Sequence, residues 1–252
     1  MVKKLLSRLT NQIEWKSLLR GFLIFVGLLS VSLWDFSFFP VLLFLILAFF
    51  LYISEPPERK TVWHSYIVLI LSSLFVLAHV PPVFRIWGMV SFLYGIVFFG
   101  LFSFINFRFK NRSAAHGGIV MLALFSFFLA LFGLSAVSAY NPWSLFLILL
   151  AFFGMYALLR ESLAFSGKFT ERKRAVIAGT VGFLGLEALW IFQFLPLGAI
   201  NGSAFLSIIL LLLRDVVVAN EEGMLNISFV LREVTIFAIA VLAFFAVSPW
   251  NL

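Results

Sequence analysis

Long apolar runs separated by short polar breaks dominate the chain. About 20 consecutive apolar residues are what an α-helix needs to cross the hydrocarbon core of a bilayer. The pattern predicts nine spans, at approximately residues 18–33, 36–53, 61–80, 83–105, 117–139, 144–159, 175–196, 197–213 and 231–250. We therefore expect an all-α fold, a polytopic integral membrane helical bundle. The first, second, sixth and eighth spans are short, which fits a thin bilayer or a half-span.

The breaks between the spans alternate in character. Breaks rich in Lys and Arg alternate with tight turns that contain proline or aspartate: Trp34-Asp35, Pro81-Pro82, Asn141-Pro142 and Leu195–Asn201. Proline ends helices because it lacks the amide hydrogen and clashes with the preceding turn. The alternation predicts one transmembrane domain over residues 18–252, made of four helical hairpins and a final helix, with no soluble domain.

Two segments beside the spans are predicted to lie at the membrane surface. In residues 1–17, Val2, Leu5, Leu6, Leu9 and Ile13 recur at steps of three and four, which predicts a helix with one apolar stripe. The Lys and Arg residues of that helix would face anionic lipid. A cleavable signal peptide is the alternative, although Ser30-Val31-Ser32 is a poor cleavage site. Residues 214–230 are mixed in character and predict an interfacial helix and turn.

The distribution of cations predicts the orientation. With nine spans and a cytoplasmic N-terminus, 17 of the 18 Lys and Arg residues fall on the cytoplasmic side, and Arg85 alone falls outside. Cytoplasmic loops of membrane proteins carry such an excess. Tryptophans prefer the membrane–water interface, and the predicted outer ends of the spans carry Trp34, Trp87, Trp143 and Trp250. We expect the N-terminus inside and the C-terminus outside.

Composition narrows the classes of function. The chain is 63% hydrophobic and 12% charged, whereas a soluble domain is about half apolar and a quarter charged. Its net charge of +7 comes from cations beside apolar spans, so we expect no nucleic-acid partner. His64 and His79 lie about 22 Å apart along one helix, and the chain has no Cys. We expect no metal site and no cofactor.

Glu187 is the candidate with the clearest chemistry. It is the one carboxylate predicted deep inside a span, about 18 Å along the helix from Ala175 and past the midplane. Such a residue marks a proton or substrate path, or pairs inside the bundle. The alternative is a protonated side chain hydrogen-bonded to one neighbouring helix for packing. Thr180 shares its face, and three glycines form a stripe that admits a close neighbour: Gly179, Gly182 and Gly185.

Few polar residues are available as partners for Glu187. Gln193 is predicted near an outer opening, and His79 and Arg85 lie near the outer ends of their spans, from which either could reach toward Glu187. Each has a simpler interpretation. His79 fits an interfacial histidine, and Arg85 fits a cation that extends to the headgroups.

Charges also cluster at the predicted cytoplasmic ends. Two cation–acid pairs lie there, Arg214-Asp215 and Arg232-Glu233. Three roles are open for them: to bridge the two helices, to bind a lipid phosphate, or to extend to the membrane interface as charged side chains at helix ends commonly do. The triplet Arg172, Lys173 and Arg174 precedes the seventh span. The triplet predicts contact with anionic lipid. Its role in orienting the chain across the membrane is by itself sufficient to explain these three cations.

The C-terminal part of the chain carries a resemblance. The stretch Phe194–Asn201, followed by Asp215, Gly223 and Leu225, resembles the C-terminal part of a family of small multi-pass bacterial membrane proteins of unknown function. The resemblance implies a multi-pass protein of a bacterial inner membrane. It implies no activity and no site residues.

Three functions are compatible with these patterns. Because polar groups inside the spans are scarce, the first is a non-enzymatic membrane component that binds a partner protein or a lipid. The second is a small transporter or proton-coupled carrier that uses Glu187. The third is an intramembrane enzyme acting on lipid-linked substrates, for which the sequence lacks two convergent catalytic groups.

Overall fold

The structure is a computed structural model that describes residues 15–54, 62–79, 88–106, 112–135, 143–165, 169–192, 194–195 and 197–247. Within these ranges the chain forms helices and no strand, so the predicted all-α class is confirmed. The nine helices described are α1 Trp15–Leu33, α2 Phe38–Ile53, α3 Trp63–His79, α4 Met89–Asn106, α5 Arg112–Ser135, α6 Trp143–Phe165, α7 Glu171–Phe192, α8 Gly198–Glu221 and α9 Ile227–Val247. Each coincides with one predicted span.

Several of these helices have the length and composition of membrane spans. Five segments are long and apolar enough to cross a bilayer: α1, His116–Gly133 of α5, Phe146–Phe165 of α6, α7 and α8. Three further segments are apolar but shorter: α2, α3 and Met89–Phe104 of α4. Apolar helices of this length are typical of membrane proteins, because the bilayer core requires every backbone polar group to be bonded within its own segment.

The ends of several helices differ from the sequence prediction. The helices α1, α6 and α8 contain 19, 23 and 24 residues, so three of the four short spans are longer than predicted. The fourth, α2, is short, with 16 residues. The prediction ended two spans at the first arginine, Arg160 and Arg214. An arginine continues a helix readily, so α6 and α8 extend past these positions.

The predicted interfacial helix over residues 214–230 is wrong for the same reason. Helix α8 continues to Glu221, and Gly223 then adopts a φ of 67° that favours glycine. Helix α9 begins at Ile227, where the Asn226 Oδ1 accepts a hydrogen bond from the Phe229 N–H at 2.8 Å. Asparagine is a preferred residue at this capping position. The segment is therefore the end of one helix, a turn and the start of the next.

The chain divides into two compact units, residues 1–119 and 120–252, with the boundary inside α5. In the first unit, α1 packs most extensively against α4, and glycines lie at the crossing. A Cβ atom added to Gly21 would lie 2.7 Å from the Phe99 Cβ and 3.0 Å from the Gly95 carbonyl oxygen. The two backbones approach as closely as small residues allow, a common way of packing helices in membranes.

Polar and aromatic side chains connect α1, α2, α3 and α4 in the first unit. The Tyr66 hydroxyl donates a hydrogen bond to the Ala48 carbonyl oxygen at 2.6 Å, which joins α3 to α2. Arg20 on α1 donates to the Ser54 hydroxyl at 3.1 Å, and its Cζ lies 5.5 Å from the centre of the Phe102 ring. The charged group of α1 is thus held by a hydroxyl and an aromatic face.

In the second unit, α7 packs against α6 and α8, while α9 packs against α8. A Cβ atom added to Gly185 would lie 2.6 Å from the Leu210 Cδ2 and 2.8 Å from the Met155 Sδ. One added to Gly182 would lie 3.6 Å from the Tyr156 backbone nitrogen. The predicted close approach is confirmed at these two glycines and is wrong for Gly179, where an added Cβ would have no neighbouring atom of the described chain within 4 Å.

Candidate functional site

The side of α7 that faces away from its neighbours carries the candidate site. The buried residues of α7 are Ala178, Val181, Gly182, Gly185, Leu189 and Phe192. Because successive residues are rotated by about 100° in a helix of 3.6 residues per turn, the remaining positions form the opposite face. We call the exposed part of that face the outward stripe: Val176, Thr180, Phe183, Leu184, Glu187, Trp190 and Ile191.

Glu187 is the acidic member of this otherwise largely apolar stripe. Its side chain is exposed, and its carboxylate has no hydrogen bond or ion pair to any residue that the structure describes. Among the described residues, no helix supplies the hydrogen bond that the packing alternative requires. Phe183 and Leu184 lie one turn before Glu187, and Trp190 and Ile191 lie one turn after it.

Three hydroxyls on exposed helix faces donate hydrogen bonds to their own helix. The hydroxyl of Thr180 donates to the Val176 carbonyl oxygen at 3.1 Å. Ser30 on α1 and Thr235 on α9 donate to the carbonyl oxygens four residues earlier, at 2.9 and 2.7 Å. Hydroxyls can return to the helix backbone in this way. A carboxylate accepts hydrogen bonds and has none to donate when ionised, so the ionised form of Glu187 cannot use the carbonyls of its own helix.

Of the three polar residues that the sequence offers as partners for Glu187, the structure describes His79 but not Gln193 or Arg85. His79 is exposed at the end of α3, where its Nδ1 donates to the Phe75 carbonyl oxygen at 2.8 Å and its ring stacks on the Phe75 ring at 4.7 Å. This histidine is satisfied within its own helix. Gln193 and Arg85 lie outside the described residues, so their part in a relay with Glu187 stays a prediction.

Charged residues connect the end of α6, the start of α7 and the end of α8. The Arg160 guanidinium binds the Glu171 carboxylate at 3.1 Å, which joins α6 to α7. The Lys173 ammonium binds the Glu221 carboxylate, which joins α7 to α8. Arg174 binds Glu171 at 3.3 Å. Two cations of the predicted lipid-contact triplet are therefore engaged within the protein, whereas the exposed Arg172 has no partner among the described residues.

The two predicted cation–acid pairs form between sequence neighbours. Arg214 donates from Nε and NH2 to the Asp215 Oδ1 at 2.8 and 2.5 Å, and from NH1 to the Ser162 hydroxyl at 2.6 Å. Arg232 donates from Nε and NH2 to the Glu233 Oε1 at 3.0 and 2.6 Å. Of these bonds, the one from Arg214 to Ser162 connects two helices, α8 and α6.

Glu161 and Ser162 were missed by the sequence analysis, which assigned them to a loop. Both side chains are buried on α6, and Glu161 is 4% exposed. In the structure, the buried face of α6 passes through Ala151, Met155 and Leu158 and continues to Ser162 at steps of three and four.

The described residues contain no group of three His, Cys, Asp or Glu that could hold a metal ion. The site that remains is a carboxylate on an exposed helix face, flanked by large apolar side chains. Comparison with protein-family models, with curated proteins and with solved structures gives no match to this chain.

Proposed function

We propose that the protein is a non-enzymatic component of a bacterial inner membrane, with nine spans and a cytoplasmic N-terminus, which binds a transmembrane helix of a partner protein on the outward stripe of α7. The agreement between nine predicted spans and nine described helices supports the number of spans. The bias of Lys and Arg toward alternate loops supports the orientation.

The observation that carries the binding function is the exposed carboxylate of Glu187. It lies about 18 Å along the helix from Ala175, in a hydrocarbon core about 30 Å thick. A charged residue costs about 2.5 to 3.5 kcal/mol on insertion scales at the centre of a spanning helix, and Glu187, which lies five residues before α7 ends at Phe192, bears part of this cost. A partner that supplies a hydrogen bond or an opposite charge offsets this cost, whereas lipid tails supply neither.

The flanking residues support a helix as the binding partner. Leu184 and Ile191 are exposed on either side of Glu187, and together they line about two helical turns. Two helices that cross in a membrane contact each other over such a length. An intramembrane ionisable residue that faces neither its own bundle nor a described partner is a functional-site hypothesis by default.

Site-specific photo-crosslinking in native membranes tests the proposal. A photoreactive residue replaces Leu184 or Ile191, and the matched control replaces Ile239, which is exposed on α9 about 18 Å from its first residue. We expect Leu184 and Ile191 to give an adduct with an apolar helix of one membrane protein, and Ile239 not to give it. Adducts with lipid alone at all three positions would contradict the proposal.

A further inference from the structure

Glu187 and Trp190 lie on the same face of α7, three residues apart. Side chains at this spacing are neighbours on a helix surface. Trp190 is 65% exposed, and its ring is perpendicular to the Phe194 ring with 5.5 Å between the ring centres. The spacing therefore places an exposed indole ring next to the carboxylate on one face of α7.

A carboxylate beside an exposed indole ring is suited to a cation. The face of an aromatic ring attracts a cation, by about 2 kcal/mol or more when the pair is desolvated, and tryptophan is the best of the natural rings. A hydrogen bond between ionised groups is also roughly twice as strong as a neutral one. A neutral donor would satisfy Glu187 but would gain little from Trp190.

Helix α9 holds a cation with a carboxylate and an aromatic ring, although the ring precedes the carboxylate there. The Arg232 guanidinium binds the Glu233 carboxylate at 2.6 Å, and its Cζ lies 4.9 Å from the centre of the Phe229 ring. Arg232 lies three residues after Phe229, and Glu233 lies four residues after it. One helix therefore supplies the cation, the carboxylate and the ring. On α7, Glu187 and Trp190 provide the carboxylate and the ring.

The length of the stripe indicates where the cation comes from. Leu184 and Ile191 flank Glu187 over about two helical turns, a length that a transmembrane helix covers and a single headgroup amine does not. Glu187 lies five residues, about 7.5 Å, before α7 ends at Phe192, so a lipid amine is the other source of a cation that the crosslinking experiment separates from a helix.

We propose that Glu187 and Trp190 form a recognition site for a lysine or arginine side chain on the transmembrane helix of the partner. The inference rests on the proposed function and adds the charge of the group that is recognised. A basic residue in the partner's transmembrane helix is also unfavourable in the hydrocarbon core. Association of the two helices therefore offsets the free-energy cost of both charges. The pairing also sets the register of the two helices.

The test compares three variants that carry the photoreactive residue at Leu184. In native membranes with graded expression of the partner, we expect Glu187→Gln to reduce the apparent affinity at least ten-fold, because glutamine keeps the shape and loses the charge. We expect Trp190→Leu to reduce it several-fold. Trp190→Phe, which keeps an aromatic face, is the matched control and should reduce it less than Trp190→Leu.

Charge exchange provides the second measurement. We expect Glu187→Lys to abolish the adduct, and replacement of the partner's basic residue by glutamate to restore it. Full adduct formation by Glu187→Gln would overturn the cation proposal while leaving the docking of a helix intact. A wild-type chain that gives no helix adduct would instead overturn the proposed function itself, so the two failures are distinguishable.

Discussion

Arg214 and Ser162 lie 52 residues apart in the sequence, and the NH1 group of the arginine donates a hydrogen bond to the serine hydroxyl at 2.6 Å. This contact joins α8 to α6 at a place where the arginine side chain is only 16% exposed. A serine that the apolar pattern left outside a span is therefore part of the contact between two helices.

We expect Ser162→Ala to lower the stability by about 1.5 to 3 kcal/mol, the usual range for a hydrogen bond to a charged group. The alanine leaves one buried donor of Arg214 without that acceptor. Thermal unfolding in a mild detergent measures the change. The control is Ser207→Ala, which removes a buried hydroxyl that donates to the Ser203 carbonyl oxygen within α8 itself. Equal losses in the two variants would contradict a special role for the α6–α8 contact.

The contact between Lys173 and Glu221 predicts a specific chemical crosslink. A carbodiimide joins an amine directly to a carboxylate only when the two groups touch, so treatment should connect the peptides that contain these residues. Mass spectrometry after proteolysis detects the product, and Lys173→Arg should remove it. Both side chains are partly exposed, so we expect that variant to change the stability by less than about 1 kcal/mol. Absence of the crosslink from the wild-type chain would exclude this pairing.

Two glycines of the first unit should respond in opposite ways to alanine. We expect Gly21→Ala to destabilise the protein by about 1 to 3 kcal/mol, because overpacking forces backbone shifts and the added methyl group meets the Phe99 Cβ at 2.7 Å. Gly100 on α4 has no other atom within 4 Å of the added Cβ. Gly100→Ala should be neutral or slightly stabilising, since alanine is the better helix former. Thermal unfolding of the two variants compares them directly, and similar losses would argue against the close crossing of α1 and α4.

The absence of cysteine makes the topology easy to test. We expect Ser37→Cys to react with an impermeant maleimide added outside intact cells, and Met224→Cys to react only after the membrane is opened. Both positions are exposed, and the Ser37 side chain makes no capping hydrogen bond, so neither substitution should disturb the fold. Labelling of both residues from the outside would be incompatible with the proposed number of spans between them.

The helix ends show where the sequence pattern loses accuracy. The positions of nine helices followed from runs of apolar residues, because a chain in hydrocarbon must bond its backbone internally. The ends of α6 and α8 did not follow, because Arg160 and Arg214 end an apolar run without ending a helix. A charged residue at the end of an apolar run marks a change of surroundings, whereas glycine at a positive φ marks a change of backbone direction.

The sequence by itself determined the class of the fold and the number of described helices. The tertiary structure decided which way each polar side chain faces: Glu187 outward, and Glu161 and Ser162 inward. The physical reason is that the face of a helix that meets lipid and the face that meets another helix are both apolar in such a protein. The periodicity that reveals the buried side of a soluble helix is therefore weak here, and only the packing of α7 against α6 and α8 shows which side remains open.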